Sequence, residues 1–279
     1  PASLISIRTQ SVLPPEWRDE MTGILSRSTG YDHLQSYLDR CGKSIPCGYL
    51  PLYCNRAVAE QAMLLWMSLL RRLPEQIENF RSFARDGLTG RECRDKTLLV
   101  VGVGHIGSEI ATIGQGLGMK VYGVDIREKH SHVHYLPLHE GIALADIIVC
   151  AMNLTEENRG FFSYERLKAA KRGVIFINVA RGEMAPASGL ARLLEEGHLR
   201  GIALDVFNHE SELAVSLRGG NASSDPEVQA ALELADHPQV IMTPHNAFNT
   251  EEAVARKARH SVEQAVHFLR HGNFLWPVP

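Results

Sequence analysis

Short apolar runs alternate with segments of helical periodicity from residue 97 to residue 245. The runs that predict strands lie near residues 97–103, 119–124, 146–151, 174–179, 201–206 and 239–242, with a short one around Tyr135-Leu136. The run at 174–179 is almost continuously apolar, which is typical of a strand covered by helices on both faces of a sheet. This rhythm predicts an α/β fold built on a doubly wound parallel sheet.

Further elements lie on both sides of this region, but the segment before residue 51 is too short to form a complete second domain. The segments Leu4-Ile5-Ser6-Ile7 and Gly23-Ile24-Leu25-Ser26 have the apolar character of strands. A long apolar helix is predicted at residues 57–70, and a second long helix at residues 250–271 ends at Gly272. The helix at residues 250–271 could carry the chain back to the domain formed by its first residues.

A glycine-rich motif stands directly after the first strand of the predicted sheet. The segment Gly102-Val103-Gly104-His105-Ile106-Gly107 follows an apolar run and opens a helical pattern. The first glycine permits a tight turn, the second lets a pyrophosphate approach the backbone, and the third lets the helix pack on the strand. The helix N-terminus also presents N–H groups to phosphates. In this context the motif predicts a Rossmann dinucleotide-binding site.

An aspartate marks the end of the next predicted strand. The carboxylate of Asp125 can accept hydrogen bonds from an adenosine ribose and would repel a 2′-phosphate. Arg127, two positions further on, could moderate that repulsion, and a solvated loop aspartate is the alternative interpretation of Asp125. NAD is therefore predicted as the cofactor in preference to NADP.

Composition and charge exclude several classes of protein. The 279 residues are 44% hydrophobic and 22% charged, and the net charge is −3, so no electrostatic partner, neither a nucleic acid nor a membrane, is indicated. The five cysteines lack C-x-x-C spacing and favour reduced thiols. The start of the sequence lacks the features of a signal peptide, so the default expectation is a cytoplasmic protein.

Histidines alternate at His130, His132 and His134. No cysteine or carboxylate stands nearby at a spacing that suits a metal site. The pattern therefore favours a solvated loop, and no metal is predicted.

Three predicted strands are followed by side chains that suit hydride-transfer chemistry. Arg181 can bind a carboxylate in a fork and polarise an adjacent carbonyl. His245 can exchange a proton at neutral pH, and Glu210 can hydrogen-bond to the imidazole and favour its charged form. Taken singly, these residues could equally be a capping arginine, a loop carboxylate and a buried structural histidine.

These residues resemble the NAD-dependent D-isomer-specific 2-hydroxyacid dehydrogenases. The resemblance covers nearly the whole chain, because four family motifs occur in the family's order and spacing. They are Val103-Gly104-His105-Ile106-Gly107, Asn178-Val179-Ala180-Arg181-Gly182, Leu204-Asp205-Val206-Phe207 and Thr243-Pro244-His245. The match implies that Arg181 binds the substrate carboxylate, that His245 is the acid/base and that Glu210 pairs with it.

The resemblance also implies the binding residues. The cofactor-binding residues would be Gly102, Gly104, His105, Ile106, Gly107, Asp125, Ala180 and Asp205, with Asp205 at the nicotinamide end. The segment Ser28–Asp32 resembles the family's substrate loop, whose backbone N–H groups hold the substrate carboxylate, so Thr29 and Gly30 are candidates. Arg8 occupies a place where some members carry a substrate-contacting arginine.

The family pattern divides the chain into two domains. Residues 55–251 correspond to the NAD-binding Rossmann domain, and residues 1–54 with 252–279 correspond to a smaller, flavodoxin-like substrate domain. The family's substrate domain normally begins several tens of residues earlier. We therefore expect Pro1 to be an internal position and the substrate domain to be incomplete.

The function implied by the family is hydride transfer between NAD(H) and a D-2-hydroxy acid/2-oxo acid pair, with a small-molecule substrate. The alternative is a non-catalytic, NAD(H)-gated binding protein of the corepressor type, because corepressors that resemble this family keep the fold. The family also implies a homodimer, with the helix at residues 57–70 as a contact.

Overall fold

The chain folds into two compact units in a computed structural model that describes residues 3–221 and 223–279. Unit 1 comprises Pro1–Ala57 and Phe248–Pro279, and unit 2 comprises Val58–Ala247. Pro1, which the resemblance places inside a longer chain, lies outside the described residues. The functions assigned to the two predicted domains stay predictions at this point.

Unit 1 is built on a small parallel sheet. With elements numbered in chain order, it contains β1 (Leu4–Ile7), a 3-10 helix (Pro15–Asp19), β2 (Gly23–Ser26), α1 (Asp32–Cys41), β3 (Cys47–Gly48) and α10 (Glu251–His271). The strands pair in the order β1-β2-β3, which confirms the two strands predicted from sequence. The helix predicted to stop at Gly272 does so, because Gly272 adopts a left-handed φ of 75° and its N–H donates to the carbonyl of Phe268.

A close approach fixes α10 against the small sheet. The ring of Phe268 lies where a side chain at Gly23 would begin, since a Cβ built there would be 2.3 Å from the Phe268 Cζ. Ile24, Leu34 and Tyr37 fill the core beside these elements and are almost fully buried. This tight packing fixes the position of α10 against the sheet. Because the three strands are parallel, their carboxyl ends lie at one edge of the sheet.

Unit 2 is the larger unit and contains a seven-stranded sheet. Its strands are β4 (Thr97–Val101), β5 (Lys120–Val124), β6 (His134–Tyr135), β7 (Ile147–Cys150), β8 (Val174–Asn178), β9 (Leu199–Leu204) and β10 (Val240–Met242). Its helices are α2 (Asn55–Arg71, which starts in unit 1), α3 (Leu73–Asn79), α4 (His105–Gly116), α5 (Leu138–Leu144), α6 (Tyr164–Lys168), α7 (Ala187–Glu195), α8 (Glu210–Leu217) and α9 (Pro226–Ala235).

The large sheet is doubly wound. Its strands are all parallel and lie in the order β10-β9-β8-β7-β4-β5-β6, so the chain leaves β4 in one direction and returns to its other side at β7. Every residue of β4, β7 and β8 is buried, as the continuous apolar runs predicted. The predicted fold class is confirmed. Ligands of such sheets bind at the carboxyl ends of strands beside the reversal point, here between β4 and β7.

Within the described ranges, no helix of either unit combines the length and the apolar character that a membrane span needs.

Candidate functional site

The three glycines of the motif meet three different surroundings. Gly102 has a φ of +91°, and a Cβ there would lie 2.6 Å from the backbone nitrogen of Met152. A Cβ on Gly107 would lie 2.0 Å from the carbonyl oxygen of Gly102. A Cβ on Gly104 would meet nothing within 4 Å. Gly102 and Gly107 are therefore required by the fold itself, whereas Gly104 leaves open space at the protein surface.

That open space lies at the start of α4. Gly104 is the N-cap residue and provides no side-chain cap, so the N–H groups of His105 and Ile106 in the first turn remain available to an anion. The dipole of the twelve-residue helix adds partial positive charge at the same end. The motif can therefore hold a pyrophosphate as the sequence predicted.

Asp125 connects the end of β5 to this motif. Its Oδ2 accepts a hydrogen bond from the Val103 N–H at 2.6 Å, and its Oδ1 accepts one from the Arg127 N–H at 2.9 Å. Each carboxylate oxygen has two lone pairs, so acceptor capacity remains for ribose hydroxyls. The cofactor role of Asp125 stays a prediction, and the structure adds a positioning role that sequence reasoning missed.

Asp205 is a buried carboxylate at the end of β9. Its Oδ1 accepts hydrogen bonds from the Thr243 hydroxyl and the Asn246 N–H, and its Oδ2 accepts one from the Ala247 N–H. Burial raises the pKa of Asp205, while these hydrogen bonds act to lower it. The carboxylate thereby holds both sides of the loop that carries His245.

His245 and Glu210 form a hydrogen-bonded pair. The Nδ1 of His245 lies 2.9 Å from the Oε2 of Glu210, and both side chains are partly exposed. The other carboxylate oxygen of Glu210 accepts the Phe207 N–H at 3.2 Å. Glu210 is the first residue of α8, so the alternative interpretation of a loop carboxylate is wrong for this residue. His245 has a φ of 50°, a strained conformation for a non-glycine residue and one that clusters at functional sites.

Arg181 follows β8, the strand next to β9. The buried side chain of Asn178 shapes its turn, because it accepts the Ala180 N–H at 3.1 Å and donates to the Arg181 carbonyl at 2.9 Å. The guanidinium of Arg181 donates to the Ala180 carbonyl at 2.8 Å. Sequence reasoning named Asn178 only as part of a motif and missed this role.

The segments that carry Arg181 and Glu210 touch each other at Gly182. A Cβ built on Gly182 would lie 1.9 Å from the carbonyl carbon of Phe207. No side chain fits there, so glycine is required for this contact. The ends of the adjacent strands β8, β9 and β10 thus bring the Arg181 segment beside the Glu210 segment and Glu210 beside His245.

Arg181 belongs to unit 2, and the other predicted substrate-binding residues, Arg8, Thr29 and Gly30, lie in unit 1. Thr29 donates its hydroxyl to the Leu50 carbonyl at 3.1 Å, and Ser28 donates to the Gly30 carbonyl at 2.8 Å. These bonds shape the turn and occupy its hydroxyl donors, which suits recognition through backbone N–H groups. Arg8 is exposed directly after β1. The substrate roles of Arg8, Thr29 and Gly30 stay predictions.

One group of potential metal ligands was not foreseen. In His209, Glu212 and Asp225, the potential ligand atoms lie within 4.8 Å of one another. Asp225 also caps the N-terminus of α9, and its Oδ2 lies 2.8 Å from the His209 Nδ1. Helix capping and this pair account for the arrangement, so we assign no metal to it.

The doubly wound sheet, its reversal point and the open cradle at Gly104 define the class: unit 2 is a Rossmann dinucleotide-binding domain. The chain belongs to the D-isomer specific 2-hydroxyacid dehydrogenases, since the model of that family's NAD binding domain matches residues 63–247. This confirms the resemblance drawn from the motifs. NAD is the cofactor of this domain.

Known proteins similar to this chain have dehydrogenase or reductase names. D-3-phosphoglycerate dehydrogenase of Bacillus subtilis is 34% identical over 77% of this chain and 39% of the relative. An aromatic 2-oxoacid reductase of Clostridium sporogenes is 33% identical over 74% of this chain and 63% of the relative. The crystal structure of D-lactate dehydrogenase from Aquifex aeolicus, complexed with NAD and lactic acid, has a TM-score of 0.88 at 30% identity and covers 98% of this chain and 86% of that chain.

The chain thus spans 39% and 63% of the length of these two relatives. None of the three proteins is named as a corepressor, so nothing here supports the non-catalytic alternative.

Proposed function

We propose that the chain catalyses hydride transfer between NAD(H) and a D-2-hydroxy acid/2-oxo acid pair. The observation that carries this proposal is the pair of His245 and Glu210, joined at 2.9 Å at the carboxyl ends of strands in an NAD-binding sheet. A proton donor and a hydride carrier are the two components that reduction of a carbonyl needs.

The two nitrogens of the His245 ring have different roles in this proposal. The carboxylate of Glu210 holds Nδ1, which fixes the orientation of the ring and leaves Nε2 for the substrate. In the reductive direction, the proton on Nε2 passes to the carbonyl oxygen of the 2-oxo acid. When NAD is bound in its reduced form, it supplies the hydride that completes the 2-hydroxy acid. The hydrogen bond from Nδ1 to the Glu210 carboxylate stabilises the imidazolium before the proton leaves Nε2.

In this proposal Arg181 binds the carboxylate of the substrate, because its planar guanidinium can donate to both carboxylate oxygens. The backbone N–H groups near Thr29 and Gly30 are proposed separately as carboxylate donors of unit 1. Binding through the carboxylate orients the adjacent carbonyl toward the proton donor. Asp205 contributes by holding the His245 loop in place.

The test compares two arginine substitutions. Arg181→Ala should lower kcat/KM for 2-oxo acids by at least about 100-fold, because two charge-assisted hydrogen bonds are lost. The NADH dissociation constant should change by less than about twofold. Arg192→Ala is the matched control, since Arg192 is exposed on α7 and pairs with Glu196. A loss of NADH binding together with turnover in the Arg181 variant would contradict the role given to this residue.

The substrate is best identified by NADH oxidation with a panel of 2-oxo acids. Glyoxylate, pyruvate, phenylpyruvate, 2-oxoisocaproate and 3-phosphohydroxypyruvate cover small, apolar, aromatic and charged side chains. Turnover of any of them supports the proposed reaction. NADH-dependent capture of a protein partner, with no turnover on the whole panel, would support the corepressor alternative instead.

We further propose a homodimer. Most apolar residues of α2 are buried, and Leu64 on that helix is 51% exposed. Further exposed apolar residues follow α2 along the chain at Ile77, Phe80 and Phe83, and the two phenylalanines are each 74% exposed. Exposed apolar side chains of this size are typical of contacts between subunits. Phe80→Asp should shift the sedimentation coefficient from that of a dimer to that of a monomer, and Val215→Asp on α8 is a control at another exposed apolar residue.

A cytoplasmic location is the last part of the proposal. The five cysteines are present as free thiols, four of them buried, which suits a reducing compartment. Cell fractionation tests this, and recovery in an extracellular fraction would contradict it.

A further inference from the structure

A series of hydrogen bonds in unit 1 connects α1 to the turn at residues 28–31. The Ser28 hydroxyl donates to the Gly30 carbonyl at 2.8 Å. The Oγ of Ser28 lies 2.6 Å from the Oγ of Ser26, which is the last residue of β2 and is fully buried. The Oγ of Ser26 lies 2.9 Å from the Nε2 of His33, the second residue of α1. These three side chains form the His33 network.

The direction of each hydrogen bond in the His33 network follows from the Gly30 carbonyl, which can only accept. A serine hydroxyl has one proton, and Ser28 uses its proton at this carbonyl. The bond between the two serines therefore needs the proton of Ser26. Because that proton is committed, Ser26 can only accept from His33, so the Nε2 of His33 must carry a proton.

The carbonyl held by this network sets the direction of a backbone N–H. A trans peptide group is planar, and its carbonyl and N–H point in opposite directions. The bond from Ser28 to the Gly30 carbonyl therefore directs the Tyr31 N–H away from Ser28. In the part of the chain that the structure describes, no protein acceptor binds the backbone N–H groups of Thr29, Gly30 or Tyr31. The network thus fixes a turn whose N–H groups can donate to a ligand.

We propose that His33 is a positioning residue for the carboxylate of the substrate. It donates through Ser26 and Ser28 to the Gly30 carbonyl and so holds the turn in the conformation that presents its N–H groups. This inference rests on the proposed function, in which this turn supplies carboxylate donors. His33 acts through the two serines and makes no contact with the substrate.

Two substitutions of His33 separate hydrogen-bond donation from packing. Glutamine and methionine both approach histidine in length, but only glutamine offers an N–H near the position of Nε2. A residue that serves only to pack would tolerate both substitutions or neither. Gln35→Met is the matched control, since Gln35 is exposed on the same helix and donates to the Asp39 Oδ1 at 3.0 Å.

Steady-state kinetics with NADH and the best substrate of the 2-oxo acid panel measure the effect. His33→Met should raise KM at least about tenfold and change kcat less than about threefold, because donors that bind substrate and transition state alike affect KM alone. His33→Gln and Gln35→Met should each stay within about threefold of the wild type in both quantities. An unchanged KM in His33→Met, or the same rise in both His33 variants, would overturn the positioning role.

NMR tests the network without turnover. Oxamate, a carboxylate analogue of 2-oxo acids, should shift the amide signals of Thr29, Gly30 and Tyr31 in the presence of NADH, and His33→Met should weaken its binding at least about tenfold. A long-range proton–nitrogen spectrum of the wild type should show a proton on the Nε2 of His33. An Nε2 without a proton would overturn the network even if His33→Met does not fold.

The two experiments together distinguish the network from the proposed function. Turnover of 2-oxo acids, with the same oxamate affinity in His33→Met as in the wild type, would overturn the network and leave the proposed function standing. Oxamate binding that depends on His33, with no turnover on any 2-oxo acid, would support the network and overturn the proposed function.

Discussion

Substitutions at Gly104 and Gly107 separate cofactor binding from the stability of the fold within one motif. A Cβ on Gly104 would enter space that holds no protein atom within 4 Å, at the position where the pyrophosphate of NAD is expected. A Cβ on Gly107 would lie 2.0 Å from the carbonyl oxygen of Gly102. Substitution of glycine by alanine should therefore affect cofactor binding at Gly104 and the packing of the fold at Gly107.

The expected magnitudes follow from these surroundings. At Gly107 the Cβ falls about 1.4 Å short of an ordinary 3.4 Å contact, and the obstructing atom is backbone, so α4 must move away from β4. Overpacking of this kind costs about 1–3 kcal/mol, against which alanine in a helix gains about 0.5–1 kcal/mol. We expect Gly107→Ala to lower the free energy of unfolding by about 1–2 kcal/mol. Gly104→Ala replaces a moderate N-cap residue by a poor one and should lower the free energy of unfolding by less than about 1 kcal/mol.

The effects on cofactor binding should differ from the effects on stability. The methyl group of Gly104→Ala stands between the backbone and the pyrophosphate, so NADH affinity should fall at least about tenfold in a chain of nearly normal stability. Gly107→Ala should lower both quantities, because the helix N-terminus moves. Urea denaturation without cofactor and calorimetric titration with NADH measure the two effects. Wild-type NADH affinity in Gly104→Ala, or a loss of stability in the cofactor-free Gly104→Ala chain as large as that of Gly107→Ala, would contradict the roles given to these two glycines.

Three further substitutions test other contacts. Asp205→Ala leaves two backbone N–H groups of the 243–247 loop without their acceptor, so the free energy of unfolding in urea should fall by about 2–4 kcal/mol; a change below about 1 kcal/mol would contradict the arrangement. Lys257→Met should raise the Tm at pH 7, because the folded chain holds this proton less tightly than the unfolded chain, and the gain should shrink as the pH approaches 10.5; a lower Tm at pH 7 would show that the cation stabilises the fold. Gly182→Ala forces a Cβ to 1.9 Å from the Phe207 carbonyl carbon, and the displacement should lower kcat/KM at least about 100-fold, whereas unchanged turnover would show that this contact does not position the site.

The parts of the structure that could be predicted are those whose signals lie within short, continuous segments of the sequence. The glycine motif occupies six consecutive residues between a strand and a helix, and each buried strand is an apolar run of its own. The boundaries were less accurate. Strand β9 was predicted near residues 201–206 and occupies Leu199–Leu204, because Leu199 already pairs with Val174, while the carboxylate of Asp205 binds the loop after β10. Periodicity identifies a strand but does not show which residue leaves the ladder first.

The contacts of the site depend on partners that are distant in sequence. Asp205 binds groups 38 to 42 residues further along the chain, and Glu210 reaches His245 across 35 residues. A single sequence shows an aspartate after a strand, but it does not show which N–H groups the carboxylate will meet. The family pattern supplied the roles of Glu210 and His245, whereas the positioning role of Asn178 became visible only through its two hydrogen bonds.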